Sequence, residues 1–143
     1  MPGDLNDSAL PEAVADELYA DSNCLVVEDS AHVYSTTRAA LDGFARFVGP
    51  GGFFVVEDGC VAVEEMRLLP DWPRGVLPAI DDWLASPEGQ EFSVRRELEV
   101  YGLSCHPRGF LQRSTTAAPA SPGRRRRRRR PLGRGRFRLS RRG

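Results

Sequence analysis

Four side chains early in the chain have types and spacing suited to chemistry: Asp29, His32, Glu57 and Asp58. The carboxylates sit at the ends of two short apolar runs. Cys24-Leu25-Val26-Val27 leads into Glu28-Asp29, and Phe53-Phe54-Val55-Val56 leads into Glu57-Asp58. Asp29 and Glu57 are 28 positions apart, with a helix-patterned segment between them. Three hard oxygen donors brought together would suit Mg²⁺, with water or substrate oxygens completing its shell. His32, three residues after Asp29, has two readings. It is a general base or a partner of a metal ligand, or a surface histidine at the start of a helix.

The elements that must position these residues follow from periodicity. Apolar runs of this length, rich in valine and phenylalanine, read as buried strands. Strand, helix, strand of this size is a right-handed βαβ unit with parallel strands. Parallel strands direct their C-terminal ends to one edge of the sheet, where open α/β sheets bind ligands. Asp29, Glu57 and Asp58 are therefore expected to converge there.

The pattern predicts a helix over 8–20, with Ser8 as N-cap, Pro11 in the first turn and Leu10, Val14 and Leu18 on one face. A strand follows over 23–28. A second helix covers 35–48, with Ala40, Leu41, Phe44, Phe47 and Val48 inward. Gly49-Pro50-Gly51-Gly52 turns the chain into a strand over 53–57. Residues 58–76 read as a long loop, functional or merely connecting. A short helix over 77–86 places Leu77, Ile80, Trp83 and Leu84 inward. Two further strand patterns, 91–95 and 98–104, read as a hairpin. No internal repeat is visible.

The zero net charge hides two different polymers. There is no lysine, and twelve of the twenty arginines lie between Arg124 and Arg142. Residues 1–123 carry eight arginines against twenty carboxylates, a net of −12. A globular α/β domain is thus expected over 1–113. Residues 114–143 read as a disordered tail rich in proline, glycine and arginine. The run Arg124 to Arg130 and the Arg-Gly spacing around Phe137 suit salt-dependent, sequence-blind binding to nucleic acid or another polyanion. The same composition also results when a GC-rich coding region is read out of frame. A third reading folds the tail over the acidic body.

Cys24, Cys60 and Cys105 are odd in number and show no CxxC spacing. With no signal peptide in view, a reducing, cytoplasmic setting is expected. Cys24 reads as a small core residue. No apolar stretch approaches the roughly 18 residues of a membrane span.

The segment Glu28-Asp29-Ser30-Ala31-His32-Val33-Tyr34 resembles the EDSxHxY segment of the cephalosporin hydroxylase / rhamnosyl O-methyltransferase family. Val48 to Gly59 resembles that family's next strand. His106-Pro107-Arg108-Gly109-Phe110-Leu111 resembles its closing NPxGxL-type segment, with Cys105-His106 where asparagine is usual. The resemblance covers roughly residues 4–113 and implies a partial Rossmann-like class I methyltransferase sheet. It implies S-adenosylmethionine and Mg²⁺ as cofactors and a sugar or small-molecule hydroxyl as substrate. Asp29, Glu57 and Asp58 would bind the metal. Class I methyltransferases hold their cofactor mainly through two earlier strands, and no GxG turn follows a strand here. The resemblance therefore implies that the chain starts after the main cofactor loops. Strand 23–28 would then be an exposed apolar edge, prone to self-association. Two functions stay open: a metal-assisted O-methyltransferase or an inactive fragment of one, and a non-enzymatic polyanion-binding protein acting through its tail.

Overall fold

The computed structural model describes residues 3–19, 21–63, 65, 75–100 and 104–115. A four-stranded mixed sheet is covered by two packed helices. The first helix, α1 (Leu10–Glu17), starts later and stops earlier than its periodicity predicts. Ser8 does not cap it; Ala9 is the N-cap residue, and Asp7 accepts the Ala9 amide through Oδ1 at 2.9 Å. Pro11, at the front of the helix, needs no amide partner there. No residue of α1 is buried. An ion pair of 2.7 Å between Glu12 and Arg46 ties it to the segment after the second helix.

Strand β1 (Val26–Glu28) is half the expected length. It pairs in parallel with β2 (Phe53–Val56), in the register Val26–Phe54, Val27–Val55 and Glu28–Val56. Helix α2 (Tyr34–Phe44) makes the crossover and tightens into a 3₁₀ turn over Ala45–Phe47. Its buried stripe is Thr37, Ala40 and Leu41, continued by Ala45 and Val48. The Gly49-to-Gly52 turn closes on a 2.9 Å bond from the Gly52 amide to the Gly49 carbonyl, with Gly51 at φ 76°. Asn23 accepts the Gly49 amide at 2.7 Å, which fixes the turn beside the entry to β1.

Helix α3 (Val76–Leu84) packs on α2 and buries Val76, Ala79, Ile80 and Trp83, while Leu77 and Leu84 are half-buried. The sheet is completed by β3 (Phe92–Val94) and β4 (Phe110–Arg113). The strand order is β1-β2-β4-β3, with β4 antiparallel to both neighbours.

This topology corrects the expected hairpin of 91–95 with 98–104. Residues 96–98 form a 3₁₀ turn, Leu98 and Val100 are exposed, and 101–103 lie outside the described residues. The partner of β3 is instead Phe110–Arg113, inserted in the middle of the sheet. The physical reason is burial. Leu111 is fully enclosed between β2 and β3, whereas Leu98 and Val100 are exposed.

One core results. Phe54 and Val56 of β2, Leu111 of β4 and Phe92 of β3 meet Leu41, Ile80 and Trp83. Trp83 stands edge-on to Phe92 at 5.1 Å between centroids. Fully burying side chains of this kind contributes about 1.5–3 kcal/mol each. At the end of the sheet opposite the strand exits of β1 and β2, Arg113 donates to the Val48 carbonyl at 2.7 Å and to Glu91 at 3.0 Å. Cys24 is half-buried rather than enclosed. The arginine-rich tail lies outside the described residues.

Candidate metal centre at the strand ends

The parallel register sets the site. Glu28 and Val56 are opposite each other, and the Glu57 amide extends the ladder by donating to the Glu28 carbonyl at 2.9 Å. The chains leaving β1 and β2 thus emerge side by side. Each then takes a sharp turn through a left-handed residue, His32 at φ 54° and Asp58 at φ 49°. Non-glycine residues adopt this region at a cost, and aspartate tolerates it better than most. These turns fold two carboxylates and an imidazole onto one point.

Asp29, His32 and Asp58 offer one ligand atom each, all within 4.8 Å of one another. His32 Nε2 is 3.3 Å from Asp58 Oδ2 and 4.0 Å from Asp29 Oδ1. The imidazole is 15% exposed, against 63% for Asp29. His32 is thus partly buried beside two carboxylates, two residues before the start of α2. Of the three predicted metal carboxylates, the structure brings Asp29 and Asp58 together. Glu57, half-buried, is outside that group.

Each member is held from behind. Asp58 caps a 3₁₀ turn over Gly59–Ala62, its carbonyl accepting the Val61 amide at 3.0 Å. The Asp58 amide donates to His106 Nδ1 at 3.0 Å. The loop of His32 rests on Gly75, where a Cβ would lie 2.1 Å from the Tyr34 nitrogen. Glycine is thus required for α3 to start against the front of α2. The Tyr34 hydroxyl donates to Asp82 of α3 at 2.8 Å, and that hydrogen bond raises the phenol above its ordinary range.

Two contributors were not singled out from sequence. Glu28 is buried at 3% exposure, with hydrogen bonds from Ser30 and from the Thr37 hydroxyl, the latter at 3.3 Å. The signal was present: strand alternation puts Glu28 on the same face as Val26, away from Val27. His106 was noted only as a departure from a motif, whereas it is the acceptor that fixes Asp58. Burial, helped by the Asp58 carboxylate and by Cys105, pushes the neighbouring Cys60 thiol up.

The donor set fits a divalent cation. Two carboxylates and an imidazole suit Mn²⁺ or Fe²⁺ as well as Mg²⁺, the carboxylates being hard oxygen ligands. An open cleft lined by Leu5, Val26, Val27, Asp29, Ser30 and Phe44 runs alongside, so the carboxylate end borders an apolar wall. The arrangement can hold a cation, orient an oxygen ligand upon it and receive a proton.

Among known families, residues 3–114 match the family model of rhamnosyl O-methyltransferase/CmcI. No curated protein and no solved structure matches the chain. No helix among the described residues is long and apolar enough to cross a membrane.

Proposed function

Because this chain belongs to the rhamnosyl O-methyltransferase/CmcI family, we propose that it serves methyl transfer from S-adenosylmethionine to a hydroxyl of a sugar or other small molecule, at the group formed by Asp29, His32 and Asp58. The observation that carries this reading is the convergence of those three side chains within 4.8 Å at the shared edge of β1 and β2.

Asp29 and Asp58 would hold the divalent cation, with Glu57 as the third carboxylate implied by the family resemblance. When bound, the cation would acidify the substrate hydroxyl and fix its direction. The chain's residues do the rest. His32 Nε2 takes the hydroxyl proton, a role supported by its enclosure beside both carboxylates. S-adenosylmethionine, when bound, would supply the methyl group to that oxygen. Catalysis of this kind rests on alignment and electrostatics. The open cleft beside Asp29 offers an apolar wall to the part of the substrate next to the reacting hydroxyl.

The test is a titration of the chain with Mn²⁺, followed by paramagnetic resonance, and then with S-adenosylmethionine in the presence of Mg²⁺. We expect saturable cation binding that is lost in Asp29→Ala and Asp58→Ala, and cofactor binding that depends on the cation. A folded chain that binds no divalent cation overturns the reading.

A second function rests on the run Arg124 to Arg130. We propose that it binds nucleic acid or a comparable polyanion by charge alone. Its affinity is expected to fall steeply with salt and to vanish when residues 124–143 are deleted. Binding insensitive to salt overturns this second reading.

A further inference from the structure

Cys60 and Cys105 belong to two segments that run side by side behind Asp58. The Cys60 amide donates to the Cys105 carbonyl at 3.1 Å. One step along, the Asp58 amide donates to His106 Nδ1 at 3.0 Å. Gly59, between them, sits so close to Pro107 that a Cβ would lie 3.0 Å from its carbonyl oxygen. A 3.1 Å amide-to-carbonyl bond, extended by the covalent spans from each Cα to the bonded nitrogen and oxygen, keeps the two Cα atoms within about 7 Å of each other. That range overlaps the roughly 4.4–6.8 Å that a disulfide spans. Cys105 is also near enough to help raise the Cys60 thiol, after burial and the Asp58 carboxylate. Both cysteines are free; Cys105 is exposed and Cys60 half-buried.

We propose that Cys60 and Cys105 form a reversible disulfide, a redox-modification site directly behind the Asp29, His32 and Asp58 group. The oxidant is a small-molecule disulfide such as oxidised glutathione. The exposed Cys105 loses its proton to water and attacks one sulfur of glutathione disulfide. That sulfur–sulfur bond breaks, a new bond to Cys105 Sγ forms, and one reduced glutathione leaves. Cys60, deprotonated in turn, attacks Cys105 Sγ and expels the second glutathione. Two protein thiols are oxidised and one glutathione disulfide is reduced to two thiols. The exposed sulfur of Cys105 leaves the bridge open to reductants, so the step reverses. Cys24 takes no part, being on the strand side of the Gly49 turn and away from both segments.

The test uses the full chain, reduced, then incubated with a glutathione redox series. Remaining thiols are alkylated and the chain is digested after arginine for mass mapping. Cleavage puts Cys60 and Cys105 on different peptides. The expected result is joint loss of both from the alkylated pool, one cross-linked peptide pair, and Cys24 alkylated throughout. Dithiothreitol restores both thiols. Cys60→Ser stops at a glutathione adduct on Cys105, and Cys24→Ser bridges as the parent does. A lasting glutathione adduct on Cys105 in the unaltered chain, with Cys60 still alkylated, overturns the proposal. So does a cross-link that includes Cys24. These two results are read on the unaltered chain, so they do not depend on any variant folding.

Discussion

His32 and Asp58, 26 positions apart in sequence, stand with Nε2 and Oδ2 at 3.3 Å, each on a backbone bent into the left-handed region. The pair exists because β1 and β2 run parallel and exit together. His32→Asn preserves the turn, since asparagine tolerates that conformation, and removes the imidazole. Cation binding is expected to persist, because both carboxylates remain. Methyl transfer is expected to fall by about 10²–10⁴-fold, the usual contribution of a positioned base. Manganese titration reads the first quantity and release of the demethylated cofactor the second; loss of cation binding would instead make His32 a ligand.

His106 acts on the site through Asp58. In His106→Ala the Asp58 amide loses its acceptor, and the carboxylate loses its fixed direction. The affinity for Mn²⁺ is expected to drop by about 10–100-fold, as when a partner behind a metal ligand is removed. An unchanged titration curve would show that Asp58 is positioned by its 3₁₀ turn alone.

Glu28 is a buried carboxylate served by two hydroxyls. Thr37→Val keeps the shape and removes one of them. The expected cost is about 1–3 kcal/mol, from leaving a buried carboxyl oxygen short of a partner. Denaturant unfolding measures it. A variant as stable as the parent would mean that Ser30 alone satisfies Glu28.

Gly75 and Gly109 are fixed by close backbone approach. A Cβ on Gly109 would lie 2.0 Å from the Val56 carbonyl oxygen, and one on Gly75 would meet backbone atoms of Val33 and Tyr34. Alanine at either position forces backbone shifts costing about 1–3 kcal/mol. Gly75→Ala is expected also to weaken cation binding, because it pushes α3 away from the loop of His32. Thermal unfolding and Mn²⁺ titration on the same samples separate the two effects.

Much of this was legible in the residues, for identifiable reasons. The glycine turn, the stripe from Ala40 to Val48 and the two valine-rich runs each satisfy one simple period, and the parallel pair follows from the helix between them. The meeting of Asp29 and Asp58 then needs only the shared exit. The place of β4 was not legible. Phe110–Arg113 has one fully buried residue, and its strand character comes from neighbours on both sides rather than from its own pattern. The inward turn of His32 was equally hidden, because a left-handed histidine carries no compositional signal.

Strand β1 has a single neighbour in the sheet, and Leu25 and Val27 are 67% and 50% exposed. We expect this edge to drive self-association of the chain in solution. Val27→Lys, a charge of the kind that blocks edge pairing, should shift light-scattering mass toward the monomer. A parent chain that is already monomeric at high concentration counts against the edge as an assembly surface.

The insertion of β4 between β2 and β3 has a consequence for how the protein is made. Of the two interior strands, β4 comes last in the chain among the described strands. Once β2 and β3 have emerged from the ribosome, and until Phe110–Arg113 follows, a strand-wide gap lies between them and the apolar faces of Phe54 and Phe92 are uncovered. The nascent chain is therefore most exposed to misassembly in the interval before Leu111 joins the sheet and closes that gap.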